Sequence, residues 1–183
     1  FNVTMQNHNP YNFDYVGEVK VTDFSVSSQV EQYLSLMRKS DDALKELITY
    51  FKKSDEPAII LVFGDHQPHL PDSFYEKLFG KNPVQFSRED SMKEHLIPFM
   101  IWANYDIGSA SDVVIGNNTL ENMLLKAAGI ELPTYNKYVE KVSQTIPVMN
   151  VNGYMDNDGN WHNYESDEPD NIKKLLDDYD ILQ

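Results

Sequence analysis

The amino-acid sequence predicts an α/β fold in which a central, mainly parallel sheet has helices on both faces, with a hairpin and a helix at the C-terminal end. Two apolar segments, 58–63 and 97–103, have the length and composition of strands. Amphipathic helices alternate with them, as is typical of parallel sheets covered on both sides. The 183 residues, 41% of them hydrophobic, are enough for one core, so residues 1–183 are assigned to a single domain.

The strand assignments rest on apolar composition and on the residues that bound each segment. Residues 1–5 alternate weakly and end at a polar loop that contains Pro10, and residues 16–21 are a poorer strand candidate. Pro57 precedes the strand at 58–63. Three polar residues, 104–106, follow the strand at 97–103.

A long helix is predicted from Ser28, because Ser28 and Glu31 have the spacing of a capping box. Lys52 and Lys53 suit the negative end of its dipole. Its apolar face is formed by Val30, Tyr33, Leu34, Met37, Leu44, Leu47, Ile48 and Phe51.

Shorter elements follow along the chain. A helix from Asp72 ends at Gly80, and the next one stops at Gly129, a residue type favoured just after a helix end. Further helices are predicted at 134–146 and 169–179. Between these two helices, residues 154–164 are predicted to form a hairpin around Asn157, Asp158 and Gly159.

Composition excludes several classes of function. The formal net charge of −14 repels phosphate backbones, so we expect no nucleic-acid partner. The absence of cysteine excludes thiolate catalysis, disulfides and cysteine metal sites within these residues. No apolar run approaches the roughly 18 residues of a membrane span. The sequence begins with Phe1, without an initiator methionine or signal peptide, and we expect it to be part of a longer protein.

Asp65 and His66 come directly after the strand at 58–63 and are the first candidate site residues. In α/β sheets ligands bind beyond the carboxyl ends of the strands. Carboxylate oxygen with imidazole nitrogen suits Zn²⁺ or Mn²⁺. The alternative interpretation is structural: the aspartate caps the turn, and the histidine is a surface residue beside it.

A metal site needs further ligands, and His8 is the next candidate. If the strands are parallel neighbours, the loops at 7–10, 64–68 and 104–106 meet at one edge, and His8 serves as a third ligand or as a donor to an anionic substrate. His95 precedes a strand and is expected at the opposite edge. His69 and His162 are weaker candidates.

Other catalytic motifs do not fit. The sequence has no Gly-x-Ser-x-Gly elbow, no phosphate loop and no dinucleotide-binding fingerprint. Residues 156–159 do not place a ligand at the first position of a calcium loop, and a hairpin turn is the better interpretation.

Seven short motifs together resemble a known family. They are NHNPY at 7–11, SD at 40–41, VFGDHQP at 62–68, PFMIWANYD at 98–106, LLKAAG at 124–129, IP at 146–147 and NGY at 152–154. In this order they resemble the sulfatase-type branch of the alkaline phosphatase superfamily, and within it the lipoteichoic acid synthase and phosphoglycerol transferase group. The resemblance covers nearly the whole chain.

The resemblance implies a truncated alkaline-phosphatase-like fold on the extracytoplasmic face of a membrane, in a protein anchored by helices upstream. It implies a threonine nucleophile that takes phosphoglycerol from a phospholipid and passes it to a hydroxyl acceptor, beside a divalent metal. Manganese is expected, with zinc, magnesium or calcium as alternatives. Asp65 and His66 match metal ligands, and His8 matches a histidine that contacts the phospholipid-derived or polyol-phosphate substrate.

The family's nucleophile and its companion acidic ligand have no match here, and Thr4 does not correspond to the nucleophile. The isolated chain is therefore expected to be inactive and to hold metal weakly, and an exposed sheet edge could pair with a second copy. Two alternatives stay open: a sulfatase or phosphodiesterase hydrolase of the same superfamily, and a non-catalytic binding or interaction domain.

Overall fold

The computed structural model describes residues 1–11, 17–164 and 169–182. The chain divides into two compact units, Phe1–Asn104 and Tyr105–Gln183. Because each unit has its own elements and its own hydrophobic cluster, the two are described separately.

Unit 1 contains three α-helices and a two-stranded sheet within its described residues. A short 3₁₀ turn at Pro83–Gln85 lies between its last two helices. The elements in chain order are α1 (Ser28–Phe51), β1 (Ile59–Phe63), α2 (Asp72–Phe79), α3 (Arg88–Lys93) and β2 (Phe99–Ala103).

Unit 2 contains three α-helices and a three-stranded sheet within its described residues. A 3₁₀ turn at Asn117–Thr119 leads into the first helix. The elements are α4 (Leu120–Ala127), α5 (Thr134–Ser143), β3 (Val148–Asn150), β4 (Gly153–Met155), β5 (Trp161–His162) and α6 (Asp170–Leu182).

The helix predictions are confirmed within a few residues, but the predicted capping box of α1 is wrong. Ser27, not Ser28, occupies the N-cap position. The carboxylate of Glu31 instead accepts hydrogen bonds from Lys20 Nζ at 2.6 Å and from the backbone N–H of Val21 at 3.4 Å. The Glu31 side chain, which the capping box would require, is thus bonded to the segment before α1.

The prediction of a central parallel sheet is wrong, because the strand pairs of both described sheets are antiparallel. In unit 1, Ile59 lies opposite Ala103 and Phe63 lies opposite Phe99. A strand has the same apolar pattern whichever way it runs, and the 35 residues between β1 and β2 are long enough for either connection. The pattern therefore located both strands but not their relative direction.

The strands predicted at the start of the chain are also absent from the described residues. Residues 1–5 form no strand, and Phe1, Val3 and Met5 are exposed. Residues 17–21 run beside α1, where Val19 N–H donates to Ser35 Oγ at 3.0 Å. A side chain of α1 thus accepts a backbone hydrogen bond that a partner strand would otherwise accept. Residue 16 lies outside the described residues.

The described residues of each unit form one hydrophobic cluster. In unit 1, Tyr11, Val30 and Leu70 are buried together, with side chains of α1 and α2 packed around them. In unit 2 the cluster joins α5, the small sheet and α6; its buried members are Val139, Val142, Ile146, Tyr154 and Tyr179. Among the described residues, no helix is both long and apolar enough to span a membrane.

The predicted hairpin at 154–164 is confirmed as the pairing of β4 with β5, in which Tyr154 lies opposite His162. Gly153 opens β4 with φ of 153°, and a Cβ atom there would lie 1.9 Å from the carbonyl oxygen of His162. Only glycine has the space and the conformational freedom that this position requires.

Candidate functional site

The loop after β1 carries Asp65 and His66, and two hydrogen bonds hold its first residues within unit 1. Gly64 N–H donates to the carbonyl of Pro98 at 3.3 Å, which extends the β1–β2 pairing by one residue. The side-chain amide of Gln67 donates to the carbonyl of Leu96. The loop is therefore fastened to the segment that leads into β2.

The far end of this loop is fixed by α2. Tyr75 donates its hydroxyl hydrogen to the carbonyl of Pro68, and Leu70 enters the cluster with Tyr11 and Val30. Burial of its ring raises the pKa of the Tyr75 phenol, so this residue remains a neutral donor at ordinary pH. The chain between Gly64 and Leu70 thus has a defined course.

Asp65 and His66 lie side by side at the surface. His66 Nε2 is 3.5 Å from Asp65 Oδ2, and their side chains are 67% and 81% exposed, respectively. The other carboxylate oxygen of Asp65 accepts the backbone N–H of His66 at 2.9 Å. This bond joins adjacent residues, and the second carboxylate oxygen faces the imidazole.

The second ring nitrogen of His66 determines which atom can bind a metal. Nδ1 lies 2.8 Å from the backbone carbonyl of Gln67. Because a carbonyl oxygen can only accept, Nδ1 carries the hydrogen, and the lone pair of the neutral ring is on Nε2. Metal-binding histidines commonly donate their other N–H to a backbone carbonyl in this way.

The two donor atoms have a spacing that fits a shared cation. Zinc-to-ligand bonds of about 2.0–2.2 Å in a tetrahedral site place neighbouring donors ~3.4 Å apart. The 3.5 Å between Asp65 Oδ2 and His66 Nε2 agrees with that value. Among the described residues, however, no group of three or more His, Asp or Glu side chains is close enough to hold a metal. The pair can supply two ligands and needs others.

His8 lies in a loop that is anchored to the same cluster. Tyr11 donates to the carbonyl of Asn7 at 2.7 Å, and its ring is buried beside Leu70. The side chain of Asn7 is 3.0 Å from Ser40 Oγ on α1. His8 itself is exposed, and its Nδ1 donates to the carbonyl of Asn9 at 2.6 Å. One cluster thus holds both candidate loops, but His8 forms no three-residue metal group with Asp65 and His66 in the described structure.

The expectation that residues 104–106 join this edge is wrong. Because β1 and β2 are antiparallel, Asn104 lies beside Ala58 at the start of β1, at the opposite end from Asp65. Its amide accepts Ala58 N–H at 2.8 Å and donates to the carbonyls of Phe51, Ser54 and Glu56. Asn104 therefore ties the end of α1 to the sheet.

The same reversal corrects the expectation for His95. His95 precedes β2, so the antiparallel pairing brings its segment to the end of the sheet where Asp65 and His66 lie. Knowledge of the strand direction would have placed the segment of His95 at this end of the sheet. Hydrophobic periodicity does not report strand direction.

A second Asp–His pair in unit 2 has a structural role. His162 Nε2 donates to Asp156 Oδ2 at 2.8 Å, and Asp156 Oδ1 accepts the backbone N–H groups of Asp158 and Asn160. The hydrogen bond from His162, followed by the one from the Asn160 backbone, lowers the pKa of Asp156 to about 2. These bonds close the β4–β5 turn, as the hairpin interpretation predicted.

A comparison with protein-family models finds a match over most of the chain. The family model described as Sulfatase matches residues 1–130. Two curated proteins of Rhizobium meliloti (strain 1021) are similar. A "Putative cyclic beta-1,2-glucan modification protein" is 30% identical over 154 residues, which cover 78% of this chain and 24% of that protein. The capsular polysaccharide biosynthesis protein RkpI is 36% identical over 70 residues, which cover 38% of this chain and 12% of that protein.

A solved structure has a similar fold. The phosphoglycerol transferase GacH of Streptococcus pyogenes, in complex with sn-glycerol-1-phosphate, matches with a TM-score of 0.65 at 19% identity. The match covers 98% of this chain and 42% of GacH. The chain therefore spans less than half the length of each of these three proteins.

Proposed function

The chain belongs to the sulfatase family, and on that premise we propose that it is part of a metal-dependent enzyme that transfers phosphoglycerol, or a similar phosphoryl-linked group, from a lipid donor to a hydroxyl group. The 183 residues would form the C-terminal portion of one catalytic domain. The observation that carries the proposal is the 3.5 Å juxtaposition of Asp65 Oδ2 and His66 Nε2, on a loop fixed at both ends.

Asp65 and His66 would hold a divalent cation together with ligands from the rest of the protein. Manganese is the proposed metal, since carboxylate oxygen and imidazole nitrogen both suit it, with zinc, magnesium or calcium as alternatives. Bound there, the cation supplies Lewis acidity toward a phosphoryl oxygen. The carbonyl of Gln67 keeps the lone pair of His66 on Nε2, and Asp65 contributes negative charge.

His8 is proposed to contact the phosphate or glycerol of the donor. GacH is described in complex with sn-glycerol-1-phosphate, which supports a polyol-phosphate ligand for a related fold. His8 Nδ1 is committed to Asn9, so Nε2 is the atom that would meet the substrate. A protonated Nε2–H can donate to an anionic phosphate oxygen.

The nucleophile would come from a part of the protein outside these residues. In the proposed cycle a threonine hydroxyl attacks phosphorus, the bond to the diacylglycerol oxygen breaks, and that oxygen takes up a proton. An acceptor hydroxyl then attacks the same phosphorus, the bond to the threonine oxygen breaks, and the proton of the acceptor passes to the threonine. Because the two curated relatives are named for a glucan and a capsular polysaccharide, the proposed acceptor is a glycan of the cell envelope. A lipid donor and a glycan acceptor would place the reaction at the extracytoplasmic face of a membrane to which the intact protein is anchored.

Hydrolysis of a sulfate ester is the second candidate, and the name of the matching family favours it. Asp65 and His66 would bind metal in either case. The two candidates differ in the nucleophile and in the fate of the transferred group, and both would leave the isolated chain without turnover.

The test uses the intact protein that contains this chain, with Mn²⁺, phosphatidylglycerol and a soluble glucan, and detects phosphoglycerol on the glucan by mass spectrometry. We expect Asp65→Asn and His66→Gln to reduce transfer by about 100-fold or more, because each removes one metal ligand. His69→Gln, an exposed histidine three residues away, is the matched control and should remain close to wild type.

Three results would count against the proposal, two of them against transfer itself and one against the role of the metal pair. Release of sulfate from an aryl sulfate without glucan modification would favour hydrolysis. Absence of both activities from a protein that contains metal would favour a non-catalytic binding domain. Full transfer by Asp65→Asn would remove the assigned role of the pair.

A further inference from the structure

Unit 2 contains a cavity of about 630 Å³ that the site in unit 1 does not use. Its walls come from the 3₁₀ turn at Asn117–Thr119, from β3 and the residue that follows it, and from α6. This volume is within the range of small-molecule binding sites. The chemistry of the walls indicates which kind of molecule fits.

Three side-chain amides line the cavity: Asn117, Asn118 and Asn150. Asn118 Nδ2 donates to Tyr179 Oη at 3.1 Å, and Asn150 Oδ1 accepts the backbone N–H of Asn152 at 2.8 Å. These bonds orient both amides. A side-chain amide has two N–H donors and two acceptor lone pairs, so Asn118 retains capacity for a ligand. Groups that both donate and accept, such as sugar hydroxyls, suit such a wall.

An aromatic ring lies beside the amides. Tyr164 lines the cavity and is 45% exposed, and its ring centroid is 6.1 Å from that of the buried Tyr154. Met149 and Leu176 add apolar surface. A sugar ring has an apolar C–H face and a rim of hydroxyls, so an exposed aromatic face beside amides is complementary to it.

The charged residues of the wall oppose an anionic ligand. Lys173, Asp177 and Asp180 are the charged side chains among the lining residues, and together they contribute a formal charge of −1. Lys173 Nζ is already 3.5 Å from Asp177 Oδ1, which leaves little positive field for a phosphate or carboxylate.

From these observations we propose that the cavity in unit 2 binds a neutral saccharide, with Tyr164 stacked on a sugar ring and the asparagine amides bonded to its hydroxyls. The inference deepens the proposed function and rests on it for one point, namely that the bound sugar belongs to the glycan acceptor. Saccharide binding itself needs neither metal nor catalysis.

The test is a titration of the 183-residue chain, labelled with ¹⁵N, with the neutral trisaccharides maltotriose, cellotriose and laminaritriose. We expect at least one of them to shift the amide signals of cavity residues, with a dissociation constant on the order of 1 mM. Tyr164→Ala should weaken binding about tenfold through loss of stacking. Tyr105→Ala removes a comparably exposed tyrosine of unit 2 and should leave binding unchanged.

If Tyr164→Ala loses its native signal dispersion, Asn117→Ala replaces it, because Asn117 is exposed and its side chain lines the cavity. The proposal is overturned if no neutral sugar shifts cavity signals, if the shifts map elsewhere, or if trigalacturonate or glycerol 1-phosphate binds there as tightly. A chain that binds sugar, from a protein that fails the transfer assay, would contradict the proposed function and leave the saccharide site intact.

Discussion

The two Asp–His pairs differ in the group to which the histidine donates its hydrogen bond. This difference distinguishes a structural contact from a candidate metal site. In unit 2, His162 donates directly to Asp156 at 2.8 Å, so the carboxylate and the imidazole satisfy each other. In unit 1, His66 donates to a backbone carbonyl instead, and its second nitrogen lies 3.5 Å from Asp65 Oδ2. That gap leaves both donor atoms of the unit 1 pair available to a cation.

The Asp156 contact predicts how the stability of unit 2 depends on pH. Because hydrogen bonds, first of all from His162, lower the pKa of folded Asp156 to about 2, the carboxylate stabilises the fold at pH values above its ordinary pKa. This stabilisation is lost as the pH falls from about 4 through about 2. We expect Asp156→Asn to reduce the pH dependence of the free energy of unfolding in that window.

Urea unfolding of unit 2, followed by NMR signals of β4 and β5 at several pH values, measures this dependence. Asp158→Asn, in the same turn, is the control and should preserve it. An unchanged pH profile in Asp156→Asn would show that the contact does not stabilise the folded hairpin.

Gly153 lies where only glycine fits, so its replacement should destabilise the β4–β5 hairpin. Alanine there would place Cβ 1.9 Å from the carbonyl oxygen of His162, whereas Gly159, also at positive φ, has open space around the same position. Gly153→Ala should therefore cost more stability than Gly159→Ala, by about 1–3 kcal/mol in urea unfolding. Equal losses would mean that β4 and β5 are not as close at this point as the structure places them.

At the scale of elements, the sequence located every described α-helix except α3, and the two strands of unit 1, because apolar periodicity reports which face of an element is buried. It did not report strand direction, since an apolar run reads the same both ways. For this reason the positions predicted for Asn104 and His95 relative to Asp65 were wrong. The adjacency of Asp65 and His66 did not depend on direction, because consecutive residues on one turn stay together, and this part of the site was predictable.

Asn104 joins the end of α1 to the β1–β2 sheet, so its replacement should destabilise unit 1. Its amide accepts one backbone N–H and donates to three carbonyls between Phe51 and Glu56. Asn104→Ala should reduce the free energy of unfolding of unit 1 by about 1–3 kcal/mol, because these backbone groups lose their partner. Asn104→Asp keeps the acceptor for Ala58 and loses the donors, so an equal or greater loss is expected from it in denaturant unfolding. A neutral result for both variants would refute the tie between α1 and the sheet.

At the scale of the whole molecule, the β1–β2 sheet of unit 1 is an apolar surface that is only partly covered. All ten of its residues are apolar and none is fully buried. Within the described residues each strand pairs on one side only. Such edges favour pairing with another chain, while the net charge of −14 opposes it.

We therefore propose that the isolated chain self-associates through this sheet, increasingly so as salt screens the charge. Sedimentation velocity over a range of concentrations and salt should show it, and Ile60→Lys should reduce it. Leu78→Lys, an exposed position on α2, is the control. A chain that stays monomeric at high salt and high concentration would contradict this expectation.

The central claim is that Asp65 and His66 contribute half of a divalent metal site, and metal content tests it most directly. The intact protein, dialysed against Mn²⁺ and analysed by inductively coupled plasma mass spectrometry, should retain bound metal that Asp65→Asn and His66→Gln lose and His69→Gln keeps. Equal metal content in wild type, Asp65→Asn and His66→Gln would contradict the account.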